Sequence, residues 1–249
     1  TRLLARVKAG LVEAFGGHLQ ELIIGGAALN AEVEAFLKRI GFPYTVGYGM
    51  TECGPLVAYA PPSENKLRSC GRIVDRMEGR ISSPDPEHIP GDLWVRGENV
   101  MLGYYKNPKA TAEVIPDPDS GWMNTGDLCT IDAEGFIFIS GRTKTMILGS
   151  SGQNIYPEEI EQVLNNLPYV NESLVIDDNG RLVALVHPDF DASRSQGLDR
   201  EALEGVMADN LAALNKEMPA YSKVSKIKIL EEEFEKTPKR SIKRFLYQP

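Results

Sequence analysis

The chain has 249 residues, room for one large or two modest domains at roughly 100–200 residues each. Apolar residues make up 42% and charged residues 25%, which excludes disordered, collagen-like and coiled-coil chains and predicts packed cores. The net charge of −8 argues against nucleic acid as a partner for the surface as a whole.

No apolar run approaches the roughly 18 residues of a spanning helix, and the opening Thr-Arg-Leu-Leu-Ala-Arg lacks the basic, apolar, small order of a signal peptide. A soluble, cytoplasmic protein is expected. Leu4 to Phe15 reads as the interior of a larger fold, so a fragment is expected too. Cys53, Cys70 and Cys129 are far apart and share no ligand spacing with His18, His88 and His187, so no zinc site is expected.

In chain order, Leu22 to Ile24 is a short apolar run ending at Gly25-Gly26. Val33, Phe36, Leu37 and Ile40 recur at helical offsets, with Asn30 placed to cap the start and Gly41 to close the end. Phe42 to Val46 is a second run, again ending in a glycine loop, Gly47-Tyr48-Gly49. Strand, helix, strand with loops at the strand ends is an α/β unit, and such sheets bind ligands at those loops.

From about Arg68 to Ser140 short runs alternate with turns such as Ile89-Pro-Gly91 and Asp132-Ala-Glu-Gly135, which predicts a small antiparallel sheet or partial barrel. Asn107-Pro108 fits the start of a short helix over Lys109 to Val114. A new module begins near Lys144. It reads strand (145–148), helix (157–167), two strands (173–176 and 182–186) joined by the hairpin signal Asp177-Asp-Asn-Gly180, helix (200–215) and strand (224–230). That order is α+β.

Gly47-Tyr48-Gly49-Met50-Thr51-Glu52 sets two glycines around an aromatic, then a hydroxyl and a carboxylate. The aromatic face can cover a purine, Thr51 can bond phosphate oxygens, and Glu52 can hold magnesium. A tight turn with a surface Thr-Glu pair explains the same residues. Asp127, ending Trp122-Met-Asn-Thr-Gly-Asp, can accept from ribose hydroxyls or simply form a turn. The last 27 residues carry eight basic against four acidic side chains, which suits an anionic ligand or a solvated surface.

Taken together, these segments resemble the adenylate-forming superfamily of acyl-CoA synthetases, luciferases and adenylation domains. The resemblance is carried by Gly25-Gly26-Ala27, Tyr48 to Glu52, Gly121-Trp122 with Thr125-Gly126-Asp127, and Gly141-Arg142 with Lys144. It continues through Gly152 to Glu161, Met218-Pro219, and Thr237-Pro238 with Ile242-Lys243-Arg244. The Asn-Ile-Tyr-Pro segment and the ending Ser-Ile-Lys-Arg-Phe-Leu-Tyr look most like long-chain fatty acyl-CoA ligases.

The resemblance implies an α/β remnant of a nucleotide-binding lobe (about 1–67), a small β subdomain (about 68–143) and an α+β C-terminal lid domain (144–249). It also implies ATP, Mg2+ and coenzyme A as reactants, a fatty acid as substrate, and peripheral membrane contact. Gly25, Gly26 and Ala27 would line the adenine side, Tyr48 would stack on the ring, and Gly49 and Met50 belong to the same segment. Thr51 would contact the α-phosphate, Glu52 the metal, and Asp127, supported by Arg142, the ribose. Lys144 matches the hinge, and Gly152 would approach the pantetheine arm.

Two departures stand out. The Ser/Thr/Gly-rich phosphate loop ending in Lys-Gly is not found in these residues, so the N-terminal part of the enzyme is expected to be missing and this chain alone to be inactive. The C-terminal pattern has Ser241 where the family has its adenylation lysine, with Lys239 and Lys243 two residues to either side as candidate replacements. If that segment is extended, all three share a face. A non-catalytic module of the same fold, and an adenylation domain delivering to a carrier-protein thiol, are the alternative readings.

Overall fold

The computed structural model describes residues 2–149, 152–238 and 240–248. The chain divides into two compact units, Thr1–Thr143 and Lys144–Pro249.

The first unit opens with α1 (Arg2–Ala14), β1 (Leu22–Ile24), α2 (Ala31–Ile40) and β2 (Tyr44–Val46). Local chemistry sets the limits of α2. The Asn30 carboxamide accepts from the amides of Glu32 (2.9 Å) and Val33 (3.1 Å), and Gly41 closes the helix in the left-handed region at φ 66°. Ile40, Phe42 and Tyr44 are buried against Val7, Leu11, Phe36 and Leu37. Strands β1 and β2 pair in parallel, Leu22 opposite Tyr44 and Ile24 opposite Val46, so their carboxyl-end loops lie side by side.

Next come β3 (Tyr48–Gly49), β4 (Leu56–Tyr59) and β5 (Arg72–Ile73), a small antiparallel sheet. Then β6 (Met77–Ser82), β7 (Gly91–Gly97), α3 (Pro108–Val114), β8 (Met123–Ile131) and β9 (Ile137–Arg142) follow. The four strands β6-β7-β8-β9 form an open antiparallel sheet in sequence order. Asn107 caps α3 by accepting from the Ala110 amide at 3.1 Å. Leu93, Val95, Met123, Cys129 and Ile137 share one core cluster with Tyr48, Cys53, Val57 and Cys70, so β3 and β4 pack on that sheet. The outer face carries Trp122, whose ring has the guanidinium groups of Arg80 and Arg96 at 4.5 and 4.9 Å.

The second unit contains β10 (Ile147–Leu148), β11 (Asn154–Ile155), α4 (Pro157–Leu164), β12 (Val170–Asp177), β13 (Leu182–Pro188), α5 (Phe190–Ser195), α6 (Arg200–Glu217) and β14 (Lys226–Ile229). The Asp177 to Gly180 turn joins β12 and β13 as an antiparallel hairpin, and β14 pairs parallel to β13. All seven residues of β13 are buried, because both faces of this sheet are covered. On one face Ile160 and Leu164 of α4 and Leu203, Met207 and Leu214 of α6 meet Val175, Ala184 and Val186. On the other, Leu174, Ile176, Val183 and Leu185 meet Phe234, Leu230, Ile242 and Tyr247.

The C-terminal segment is therefore a strap, not a flexible tail. Phe234 and Tyr247 stack edge to face at 5.2 Å, and the Tyr247 hydroxyl accepts from the Glu235 amide at 2.8 Å. Lys236 bridges Ile242 across a turn in which the Thr237 amide bonds the Ser241 carbonyl and Arg240 sits at φ 62°. Ser241 and Lys243 thus follow a turn and not the extended run that was the condition for a face shared with residue 239, which lies outside the described residues. Apolar burial of Phe234 and Ile242 on either side folds the segment back on itself.

Candidate nucleotide site

The site begins at the carboxyl ends of β1 and β2. The Gly47 amide donates to the Ile24 carbonyl at 2.9 Å, which seats the exposed loop Gly25-Gly26-Ala27 directly beside the second glycine loop. A Cβ on Gly25 would stand 3.0 Å from the Gly47 carbonyl oxygen. Gly49 is more tightly constrained. A Cβ there would stand 2.3 Å from the Pro55 carbonyl oxygen, which is the group that accepts from the Met50 amide at 2.8 Å. The sharp return of the chain after Tyr48 thus needs a residue without a side chain.

Thr51, Glu52 and Cys53 form one 3-10 turn, with Thr51 exposed and Cys53 buried. The turn is fixed from outside: the Asn99 carboxamide donates to the Cys53 carbonyl (2.7 Å) and the Leu56 carbonyl (3.1 Å), and the Met101 amide donates to the Glu52 carbonyl (2.8 Å). The Glu52 carboxylate accepts from the Tyr104 hydroxyl at 2.9 Å. Burial and that neighbouring carboxylate raise the Tyr104 phenol above its ordinary value of 10.0. Tyr104 was not anticipated. Its partner lies 52 residues away, and the local run Gly103-Tyr104-Tyr105 has no periodicity that would single it out.

Asp127 is reached from β8. The strand's two-residue period points Met123, Thr125 and Asp127 to the inner face, so all three are buried. A buried carboxylate needs partners, and Asp127 has them. The Tyr48 hydroxyl donates to Oδ2 at 2.5 Å, Arg142 Nε donates to Oδ1 at 3.0 Å, and the Asp127 amide donates to Thr125 Oγ1 at 3.2 Å. Arg142 stands directly opposite Asp127 in the β8–β9 register. Burial, and then the Asp127 charge, push the Tyr48 phenol far above its ordinary value of 10.0, so it stays a proton donor.

The structure thus brings together Tyr48, Asp127 and Arg142, and sets Gly25 to Ala27 beside Gly47. No group of three or more His, Cys, Asp or Glu side chains with metal-holding geometry occurs among the described residues. Glu52 as a single carboxylate still suits magnesium, which takes one or two carboxylates and completes its shell with substrate phosphates and water.

In the second unit, exposed Lys144 lines a polar cavity of about 370 Å³ with Asp177, Asn179 and Arg244. Gly152 is at φ 83°, and apart from its chain neighbours no atom of the described residues lies within 4 Å of where a Cβ would be. Lys243 Nζ pairs with Glu235 at 3.1 Å in a solvent-facing contact, and Lys236 pairs with Glu172 at 2.8 Å. Lys239 lies outside the described residues.

Comparison with known proteins identifies the family. The model of the AMP-binding enzyme family matches residues 2–105, and that of the AMP-binding enzyme C-terminal domain matches residues 144–247. The chain belongs to the AMP-binding, adenylate-forming enzymes.

Among curated relatives, a long-chain-fatty-acid–CoA ligase of Yersinia pestis is 45% identical over 162 residues, covering 62% of this chain and 28% of that protein. A feruloyl-CoA synthase of Amycolatopsis is 38% identical over 164 residues, covering 64% of this chain and 33% of that protein. The chain therefore spans about a third or less of the length of these relatives. The fold matches o-succinylbenzoate coenzyme A synthetase from Bacillus subtilis, solved with ATP and magnesium ion. The TM-score is 0.73 at 24% identity, covering 96% of this chain and 49% of that one.

Proposed function

We propose that this chain is part of an AMP-forming ligase that activates a long-chain fatty carboxylate with ATP and Mg2+ and passes the acyl group to coenzyme A. In the first step the carboxylate oxygen attacks the α-phosphorus and pyrophosphate leaves. In the second the coenzyme A sulfur attacks the acyl carbon and AMP leaves. The observation that carries this reading is the buried Asp127 carboxylate, oriented at both oxygens beside the glycine loop that holds Tyr48.

In this reading Asp127 accepts from the ribose hydroxyls, with Arg142 balancing its charge. The Tyr48 ring covers the adenine next to Gly25, Gly26 and Ala27, and Gly49 and Met50 shape the turn beneath it. The Thr51 hydroxyl, exposed at the start of its turn, donates to the α-phosphate. Glu52 would hold the magnesium ion, which neutralises charge on the phosphates. Lys144 acts as the hinge between the two half-reactions, Gly152 lets the pantetheine arm pass, and Lys239 or Lys243 supplies the cation that Ser241 lacks. The protein works in the cytoplasm, in peripheral contact with membranes that hold its substrate, and not on nucleic acid.

The likeness to a feruloyl-CoA synthase supports a second substrate class, the aromatic propenoic acids. ATP–pyrophosphate exchange by the full-length protein, run with fatty acids, hydroxycinnamic acids and amino acids, separates the cases. Fastest exchange with fatty acids is expected. Fastest exchange with hydroxycinnamic acids would favour the second class, and no exchange with any acid would leave a non-catalytic module.

A further inference from the structure

Ring stacking, the role proposed above for Tyr48, needs no hydroxyl, since a phenylalanine ring would stack as well. Yet the Tyr48 hydroxyl is buried and spans 79 residues of sequence to donate to Asp127 Oδ2 at 2.5 Å. Arg142 Nε holds the other oxygen at 3.0 Å. A carboxylate has about four lone-pair sites, so each oxygen keeps one acceptor site open.

The two donors differ in quality. The Arg142 side chain is 65% exposed, where water competes for the contact and weakens it. Tyr48 is 9% exposed and packs in one cluster with Val57, Met123 and Cys129. Its ring cannot shift without disturbing that core, so its hydroxyl is the firmer of the two anchors.

A carboxylate turning about its Cβ–Cγ bond offers its lone pairs in many directions. Two neighbouring hydroxyls on one sugar need two acceptors in fixed directions. We propose that Tyr48 is a positioning residue: its hydroxyl locks the rotation of Asp127 so that the open acceptor sites meet the 2′- and 3′-hydroxyls of a nucleotide ribose. This rests on the nucleotide site proposed above. The tyrosine thereby serves two functions, with its ring for the base and its hydroxyl for the sugar.

The test measures the affinity of the 249-residue chain for AMP and for 2′,3′-dideoxy-AMP, in the wild type and in Tyr48→Phe. Wild type should prefer AMP. Tyr48→Phe should lose roughly three- to tenfold in AMP affinity, the size of one hydrogen bond, while its affinity for dideoxy-AMP stays within about twofold. Equal loss for both nucleotides, or no loss for AMP, overturns the positioning role while leaving the ribose site standing. A wild type that binds the two nucleotides equally overturns the ribose site itself, and the proposal with it.

If Tyr48→Phe does not fold, proton NMR of the wild type decides. An exchange-protected Tyr48 hydroxyl proton that shifts with AMP but not with dideoxy-AMP supports the proposal. A proton that responds alike to both, or shows no protection, overturns it.

Discussion

Asp127 is where the chemistry of single residues is most constrained. Its inward position follows from strand parity, and three donors or acceptors within 3.2 Å hold its carboxylate and amide. On the proposed ribose role, Asp127→Ala in the full-length protein would remove the acceptor for both hydroxyls, at a cost on the order of 1.5–3 kcal/mol for each hydrogen bond to a charged group before water compensates. Nucleotide affinity measured by titration calorimetry should fall accordingly, and an unchanged affinity would refute the assignment. Glu52 depends on one tyrosine in a similar way. Tyr104→Phe removes a donor from Glu52 Oε1, so under the proposed metal role of Glu52 the Mg2+ concentration giving half-maximal adenylation should change while the KM for the proposed fatty-acid substrate holds. Movement of both together would point to a general loss of structure.

Among the elements, α2 carries a buried charge. Glu34 is 2% exposed and accepts from the Arg68 amide with both oxygens, at 3.0 and 3.1 Å. Burial outweighs that hydrogen bond and raises the Glu34 carboxyl above its ordinary value of 4.5. The folded form then binds the proton more tightly than the unfolded chain, so the contribution to stability is full below pH 4.5 and is lost as pH rises through the folded value. Glu34→Gln keeps an acceptor without the charge, and the urea midpoint of the variant should lack that part of the pH dependence. A slope identical to wild type would sink the argument.

The C-terminal strap of the second unit depends on a different buried carboxylate. Glu161 of α4 accepts from Arg244 Nη1 at 2.9 Å and from the Val175 amide at 2.7 Å, while Arg244 Nη2 donates to the Val175 carbonyl at 3.2 Å. One ion pair thus ties helix, central sheet and strap. Glu161→Ala leaves a mostly buried guanidinium with only the longer Glu158 contact at 3.9 Å and the Val175 carbonyl, at a cost of up to about 3–5 kcal/mol. Chemical denaturation should register that loss in residues 144–248, with residues 2–143 little affected, because the two units have separate cores. Destabilisation spread evenly over both would contradict this.

For the whole molecule, the absence of a Ser/Thr/Gly-rich phosphate loop from these residues carries the main consequence. Stabilising charge on the transferring group is usually the largest catalytic contribution, and the loop that the resemblance implies for it is not among these residues. The 249-residue chain by itself should therefore release no pyrophosphate in response to fatty acids above background. Robust release in a coupled assay would show that the residues present suffice.

The amino-acid sequence by itself determined the elements whose causes are local. Asn30, Gly41 and the 3-4-7 spacing between them define α2, and Asp177 to Gly180 define the hairpin, because capping and turn chemistry act within a few residues. It also marked Tyr48, Glu52 and Asp127 through the order of short motifs. Tertiary structure alone decided what those side chains touch. Tyr48 meets Asp127 across 79 residues and Tyr104 meets Glu52 across 52, contacts created by packing β3 on the β6–β9 sheet and by the loop after β7. The strap was likewise illegible, since Lys236 to Arg244 reads as a charge run on polar surface. What folds it back is the burial of Phe234, Ile242 and Tyr247 on a sheet face contributed by residues about fifty or more positions upstream.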